Sequence, residues 1–131
     1  MVWCSLPEVT DDTVVAWSEL PDVEAVVLVE DGHVVGYGEI WVDPAENEVE
    51  LAHLIVAPER RGRGLGRRLV GELVQQAWRH YPFVALRVHS RNEAAIRCYS
   101  AAGFERASAS EEAAWNVDQP VDYVWMCRHR R

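Results

Sequence analysis

Gly62, Gly64 and Gly66 stand at alternate positions among Arg60, Arg61, Arg63, Arg67 and Arg68. The chemistry this grouping offers is anion binding. The stretch opens a segment with helical spacing, and a helix N-terminus already carries about half a positive charge and four unpaired N–H groups. Arginines there oppose the helix dipole by roughly 0.3–1 kcal/mol each when exposed. A bound anion would reverse the sign of that term. Glycines remove side chains and let backbone N–H groups approach such an anion closely. The pattern predicts a phosphate cradle between a strand and a helix. A P-loop is excluded, because GxxxxGK[ST] needs a lysine and the chain has none. The GxGxxG dinucleotide fingerprint fails as well, since Arg67 stands where its third glycine would be.

The elements that must position this cradle follow from periodicity and turn chemistry. Thr10 to Thr13 ahead of Val14, Val15, Trp17 and Leu20 predicts a capped helix near 10–20, ended by Pro21. Ala25 to Glu30, the Asp31-Gly32 turn and Val34 to Val42 predict a β-hairpin. Asp43 to Asn47 is a second turn, and Glu48 to Val56 a third strand. Leu65, Leu69, Leu73, Val74, Ala77 and Trp78 form the apolar stripe of a helix over about 64–80. Phe83 to His89 is a strand with Val84, Leu86 and Val88 on one face. Asn92 caps a short helix over about 92–102, with Gly103 as its C′ residue. Phe104 to Ala107 predicts a short strand, the acidic stretch after it an irregular segment, and Asp122 to Arg128 the last strand. The sum is a mixed α/β sheet with helices on its faces.

Composition bounds the rest. The 131 residues fit one domain, 1–131, able to bury a real core. All 13 cations are arginines, and without the five at the glycine stretch eight remain against 21 acids, a balance of −13. An acidic body with one basic spot suits a small anionic ligand, and argues against a nucleic-acid or membrane partner. Apolar runs such as Leu51 to Val56 fall far short of a bilayer span, and Met1 to Leu6 has no signal-peptide pattern. Cys4, Cys98 and Cys127 are scattered, which supports neither a disulfide framework nor a metal site and suggests a cytoplasmic protein.

The run Ile55-Val56-Ala57-Pro58-Glu59-Arg60-Arg61-Gly62-Arg63-Gly64-Leu65-Gly66 resembles the pyrophosphate-binding motif of the GNAT superfamily of N-acetyltransferases, [Q/R]-x-x-G-x-[G/A], through Arg61, Gly64 and Gly66. Asn92 to Tyr99 with Ala102-Gly103-Phe104 resembles that family's second motif, N-x-x-A-x-x-x-Y-x-x-x-G-F. The motifs stand in the family's order, and the resemblance covers about 25–128. It implies a central, mostly antiparallel twisted sheet with one splayed parallel strand pair. It also implies acetyl-CoA as acyl donor, no metal, and an amine acceptor, small molecule or peptide. A non-catalytic acyl-CoA-binding sensor is the alternative. Dimers are common in such folds, and a strand edge could serve a homodimer.

Roles carry over residue by residue. The resemblance implies that backbone groups of Ile55 and Val56 bind the pantetheine arm and polarise the thioester carbonyl. Amides of Arg61, Gly62, Arg63, Gly64, Leu65, Gly66 and Arg67 would bind the pyrophosphate, and Asn92 the pantetheine. Direct aminolysis then needs an acid for the leaving thiolate and a base for the amine proton. Tyr99 aligns with the family's usual acid, and a phenol near its ordinary pKa of about 10 can donate at neutral pH. Glu50 is the expected base, on a strand whose parity, absent a bulge, puts Glu48, Glu50, Ala52, Leu54 and Val56 on one face. Glu39 and His53 are secondary candidates. Ribosomal-protein N-terminal acetyltransferases place a glutamate where this chain has Arg87, which counts against their substrate. Glu105, Glu111, Glu112, Asp118 and Asp122 could line an acceptor site or simply be solvated. Trp115 to Pro120 could shape the pocket or be a turn packed on the sheet.

Overall fold

The computed structural model describes the backbone of residues 13–20 and, in full, residue 22, residues 23–58 and residues 64–130. Among the described residues, seven strands and three helices follow in the order β1 (Thr13–Leu20), β2 (Val23–Glu30), β3 (His33–Asp43), β4 (Glu48–Val56), α1 (Leu65–Ala77), β5 (Phe83–His89), α2 (Glu93–Ala101), β6 (Glu105–Arg106), α3 (Ala109–Trp115) and β7 (Tyr123–His129). They form one sheet in the order β1-β2-β3-β4-β5-β7-β6. Every pairing is antiparallel except β4 with β5.

The apolar run of β2 explains the first half. Ala25 to Val29 are all buried, so both faces of this strand are covered, and β1 and β3 pair with its two edges. That arrangement overturns the helix expected near 10–20. The β-branched residues Thr13, Val14 and Val15 pair along β2 instead, from Thr13↔Val29 onward. Ladder pairing has outweighed a weak helical pattern.

Helix α1 lies on one face. Its stripe of Leu65, Leu69, Val70, Leu73, Val74 and Ala77 packs with Val26, Leu28, Ile40, Val49, Leu51, Val84 and Leu86 into the main core. The backbone of β3 comes close to α1 at Gly38, where a Cβ would stand 2.6 Å from Leu73 Cδ1. Helix α2 closes the same side, with Ala95, Ile96, Cys98, Tyr99 and Ala102 half-buried against that core.

The opposite face carries α3. Trp115 meets Trp125 and Phe83, at ring separations of 5.4 and 6.5 Å. This helix replaces the irregular acidic stretch expected there. Ser108 starts it with a capping box: its hydroxyl accepts from the Glu111 amide while the Glu111 carboxylate accepts from the Ser108 amide. Glu112 then takes both Arg106 and the backbone N–H of Trp125. Its charge pins α3 to β6 and β7. No helix among the described residues is long and apolar enough to cross a membrane.

Candidate active site

Two features of β4 shape the site. The first is a splay. The parallel ladder with β5 runs from Glu48↔Phe83 to Leu51↔Leu86 and stops there, while β4 continues to Val56 and β5 to His89. A gap opens between the diverging strands. The second is a bulge. On β3 the pairing steps from Tyr37 to Glu39, while on β4 it steps from Ile55 to Ala52. The extra residue is accommodated at His53, whose φ of 54° lies in the left-handed region.

The bulge corrects the expected parity of β4. Val49 and Leu51 face α1, and after the bulge so do Leu54 and Val56. Glu50 therefore does not share a face with Leu54 and Val56. It faces the other side of the sheet, together with Tyr37, Glu39 and Trp41 of β3 and Arg87 of β5.

Each side of the gap holds a cavity. On the α1/α2 side, a cavity of about 450 Å³ is lined by Leu54, Ile55 and Val56 of β4, by Gly64, Gly66 and Arg67, and by Ala94, Ala95, Cys98 and Tyr99 of α2. On the other side, a cavity of about 490 Å³ takes in Glu50, His53, Arg87, Asn92, Gln119 and Tyr123. Leu54 and Tyr99 line both. Burial pushes the Tyr99 phenol above its ordinary pKa, and the Cys98 thiol adds to the shift, so the phenol stays protonated across the neutral range.

The start of α1 fits an anion. Gly64 caps it in the left-handed conformation, φ 77°, with open space where a Cβ would point. No described side chain caps the helix, and its first turn contains no acid. Its first N–H groups, the dipole and Arg67 thus present one concentrated positive site, suited to a phosphate. Leu65 turns its side chain into the core, leaving only its backbone for a ligand. Gly66 packs beside Cys98, whose Sγ would be 3.5 Å from an added Cβ. Arg61, Gly62 and Arg63 lie outside the described residues.

On the other side of the sheet, Glu50 Oε1 stands 2.9 Å from Arg87 Nε. The contact is a close ion pair of imperfect alignment, and among the described residues that buried oxygen has no well-aligned hydrogen-bond donor. Burial raises the Glu50 carboxyl above the usual carboxylate range, and the opposing pull of Arg87 and His53 does not cancel it. Arg87 is itself held firmly. It donates to Gln119 Oε1 at 2.6 Å and its guanidinium lies 5.6 and 5.4 Å from the ring centroids of Tyr123 and Trp125. Asn92 lines this cavity while its Oδ1 accepts from Ala95 N as the α2 cap.

The segment expected either to shape a pocket or to pack on the sheet does both. Asn116 clamps β7, accepting from Tyr123 N and Trp125 Nε1 and donating to Tyr123 O. Gln119 reaches the cavity and fixes Arg87. Glu105, Glu111 and Glu112 do not line either cavity at the splay.

The sequence profile of the acetyltransferase (GNAT) family matches residues 2–104. The chain belongs to that family. A Klebsiella pneumoniae structure, assigned as an acyl-CoA N-acyltransferase, superposes with a TM-score of 0.70 at 26% identity, covering 83% of this chain and 73% of that one. A Bacillus anthracis structure, assigned as a streptothricin acetyltransferase and in complex with acetyl coenzyme A, has a TM-score of 0.70 over 86% of this chain and 66% of its own. At 18% identity that likeness is one of fold. An uncharacterized protein of Mycobacterium leprae (strain TN) is 46% identical over 59 residues, which make up 45% of this chain and 16% of that protein. The chain thus spans a small part of that relative. The GNAT assignment agrees with the splayed β4/β5 pair, the mixed sheet and the helices on its two faces.

Proposed function

We propose that this domain transfers an acetyl group from acetyl-CoA to a primary amine by direct aminolysis. The observation that carries the reading is the position of Tyr99, which lines both cavities at the splay. The cavity on the α1/α2 side would take the donor, and the one beyond the gap the acceptor. Acetyl-CoA supplies the activated acyl thioester.

The residues divide the work. The N–H groups from Gly64 to Arg67 hold the pyrophosphate, and the family resemblance assigns Arg61, Gly62 and Arg63 to the same ligand. Ile55 and Val56 on β4 align the pantetheine and place an amide against the acyl carbonyl. Asn92 lines the acceptor side of the gap with its Oδ1 engaged in the cap, so the pantetheine contact that the resemblance implies would be made by Nδ2 across the gap. Tyr99 gives its proton to the departing sulfur. Glu50 accepts the amine proton, directly or through one water, and burial makes it a stronger base than an exposed carboxylate.

The test is release of CoA thiol from acetyl-CoA with a panel of acceptors: spermidine, a lysine-containing peptide and a peptide with a free N-terminus. Thiol release that depends on one of these amines supports the reading. The Glu50–Arg87 pairing favours one competitor, a sensor that binds acyl-CoA with its base held shut. Binding without amine-dependent release identifies that competitor.

A further inference from the structure

The group that carries the acceptor's proton out of the site is read from a second cluster, which the roles above leave unused. Glu39 is the one buried charged or polar residue among those described, at 8% exposure. Its carboxylate is fully engaged: Tyr37 Oη donates to Oε2 at 2.6 Å and Trp41 Nε1 to Oε1 at 3.0 Å. His53 Nδ1 lies 2.7 Å from the same Oε1.

This arrangement fixes the histidine tautomer. Burial works to raise the Glu39 carboxyl, but the bonds from Tyr37, His53 and Trp41 together bring it below its ordinary value, so it is an ionised acceptor at neutral pH. A carboxylate with no proton can only accept, so Nδ1 must carry the hydrogen. The lone pair of neutral His53 is then on Nε2, which makes no hydrogen bond to a described residue. The ring is 61% exposed, and Trp41 meets it edge-on at 5.6 Å.

The backbone puts this ring where it is. His53 is the bulge residue, held at a positive φ that costs a non-glycine side chain about 1–2 kcal/mol. Local strain of this kind persists where the surrounding structure imposes it. The bulge turns His53 into the acceptor-side cavity beside Glu50.

We infer that Glu39 and His53 form a proton-exit dyad for the acceptor side of the site. The inference rests on the transferase reading above. The proton taken from the amine passes from Glu50, through cavity water, to His53 Nε2. The resulting imidazolium is held against the Glu39 carboxylate, and the proton then leaves from the exposed ring to solvent. No electron pair moves beyond these protonations, and Glu50 is returned to its basic form. Glu39 is a positioning residue in this scheme, acting only through His53.

Chemical rescue tests it. His53→Gly removes the imidazole and also relieves the backbone, because glycine adopts positive φ freely. Its fold and its stabilisation by acetyl-CoA should therefore match those of the unaltered protein. Amine-dependent turnover should fall about tenfold or more, and free imidazole should restore a large part of it. His53→Asn tolerates the same backbone and can still bond Glu39, but it has no base; it should stay slow with or without imidazole. Independently of activity, ¹⁵N spectra of the histidine rings should give the Nδ1–H tautomer for neutral His53, with the bias lost in Glu39→Gln. Full turnover in His53→Gly, a loss that imidazole does not repair, or an Nε2–H tautomer would each overturn the dyad while leaving the transferase reading intact. Absence of amine-dependent turnover in the unaltered protein would overturn both.

Discussion

Glu50 Oε1 lies 2.9 Å from Arg87 Nε, yet the carboxyl is held above its usual pKa because burial outweighs the arginine's charge. If Glu50 is the base, as proposed, this balance between burial and Arg87 sets the pH at which it works. Activity should rise with pH through the raised Glu50 pKa, since only the ionised carboxylate can accept a proton. Arg87→Gln removes a group that lowers that pKa, so the acidic limb of the kcat profile should move to higher pH. A limb that stays in place would separate Glu50 from the chemistry. Glu50→Gln should reduce kcat by about 10²–10⁴ with acetyl-CoA binding nearly unchanged.

Tyr99 makes a complementary prediction. Tyr99→Phe keeps the ring that packs near Phe104, at a centroid distance of 6.2 Å, and removes only the hydroxyl. Turnover should fall about 10²-fold or more, with the unfolding temperature and its shift by acetyl-CoA close to those of the unaltered protein. Kinetics measured alongside thermal unfolding check both halves. Unimpaired turnover would mean that the leaving thiolate needs no proton from this residue.

Tyr37 can be examined through stability. Its 2.6 Å bond to Glu39 is charge-assisted, so Tyr37→Phe should cost about 1.5–3 kcal/mol at neutral pH. Glu39 has a lowered folded-state pKa, so its contribution is present above the unfolded value and is lost as pH falls through the folded one. The difference between Tyr37→Phe and the unaltered protein should shrink over that acidic range. Denaturant unfolding at a series of pH values gives the answer.

Gly38 supplies a packing prediction away from the chemistry. The Cβ of Gly38→Ala would meet Leu73 Cδ1 at 2.6 Å, and Leu73 is fully enclosed in the core. Overpacking of this kind costs about 1–3 kcal/mol. A neutral effect on urea unfolding would mean that β3 and α1 can separate without loss.

Much of this architecture was legible in the chain. Strands β4 and β5 begin and end where turn residues and alternation place them, at Glu48–Val56 and Phe83–His89. Asn92 caps α2, and Gly103 follows it at φ 94°. The misses have physical causes. Thr13–Leu20 reads as a helix only until β2 is seen to need a partner on its free edge. Alternation along β4 cannot reveal a bulge, so the faces of Leu54 and Val56 came out reversed relative to Glu50. Helix α3 does carry a local signal, the Ser108-x-x-Glu111 capping box. The pairing of Arg87 with Glu50 and Gln119 joins residues from separate parts of the chain, and no local spacing announces it. The same holds for Glu39 and His53, whose contact depends on the bulge. Arg61, Gly62 and Arg63, the centre of the sequence motif, lie outside the described residues.

The most direct test of the account is thermal unfolding with acetyl-CoA, with ATP and NAD as controls. At about 100 times its Kd a ligand adds roughly 2.7 kcal/mol of stability, and this corresponds to several degrees for a domain of this size. That rise is expected with acetyl-CoA, and a smaller one or none with the two controls. No rise, or an equal rise with all three, would contradict it: the glycine-arginine cradle would then be a general anion site or an inactive one, and the transferase reading would fall with it.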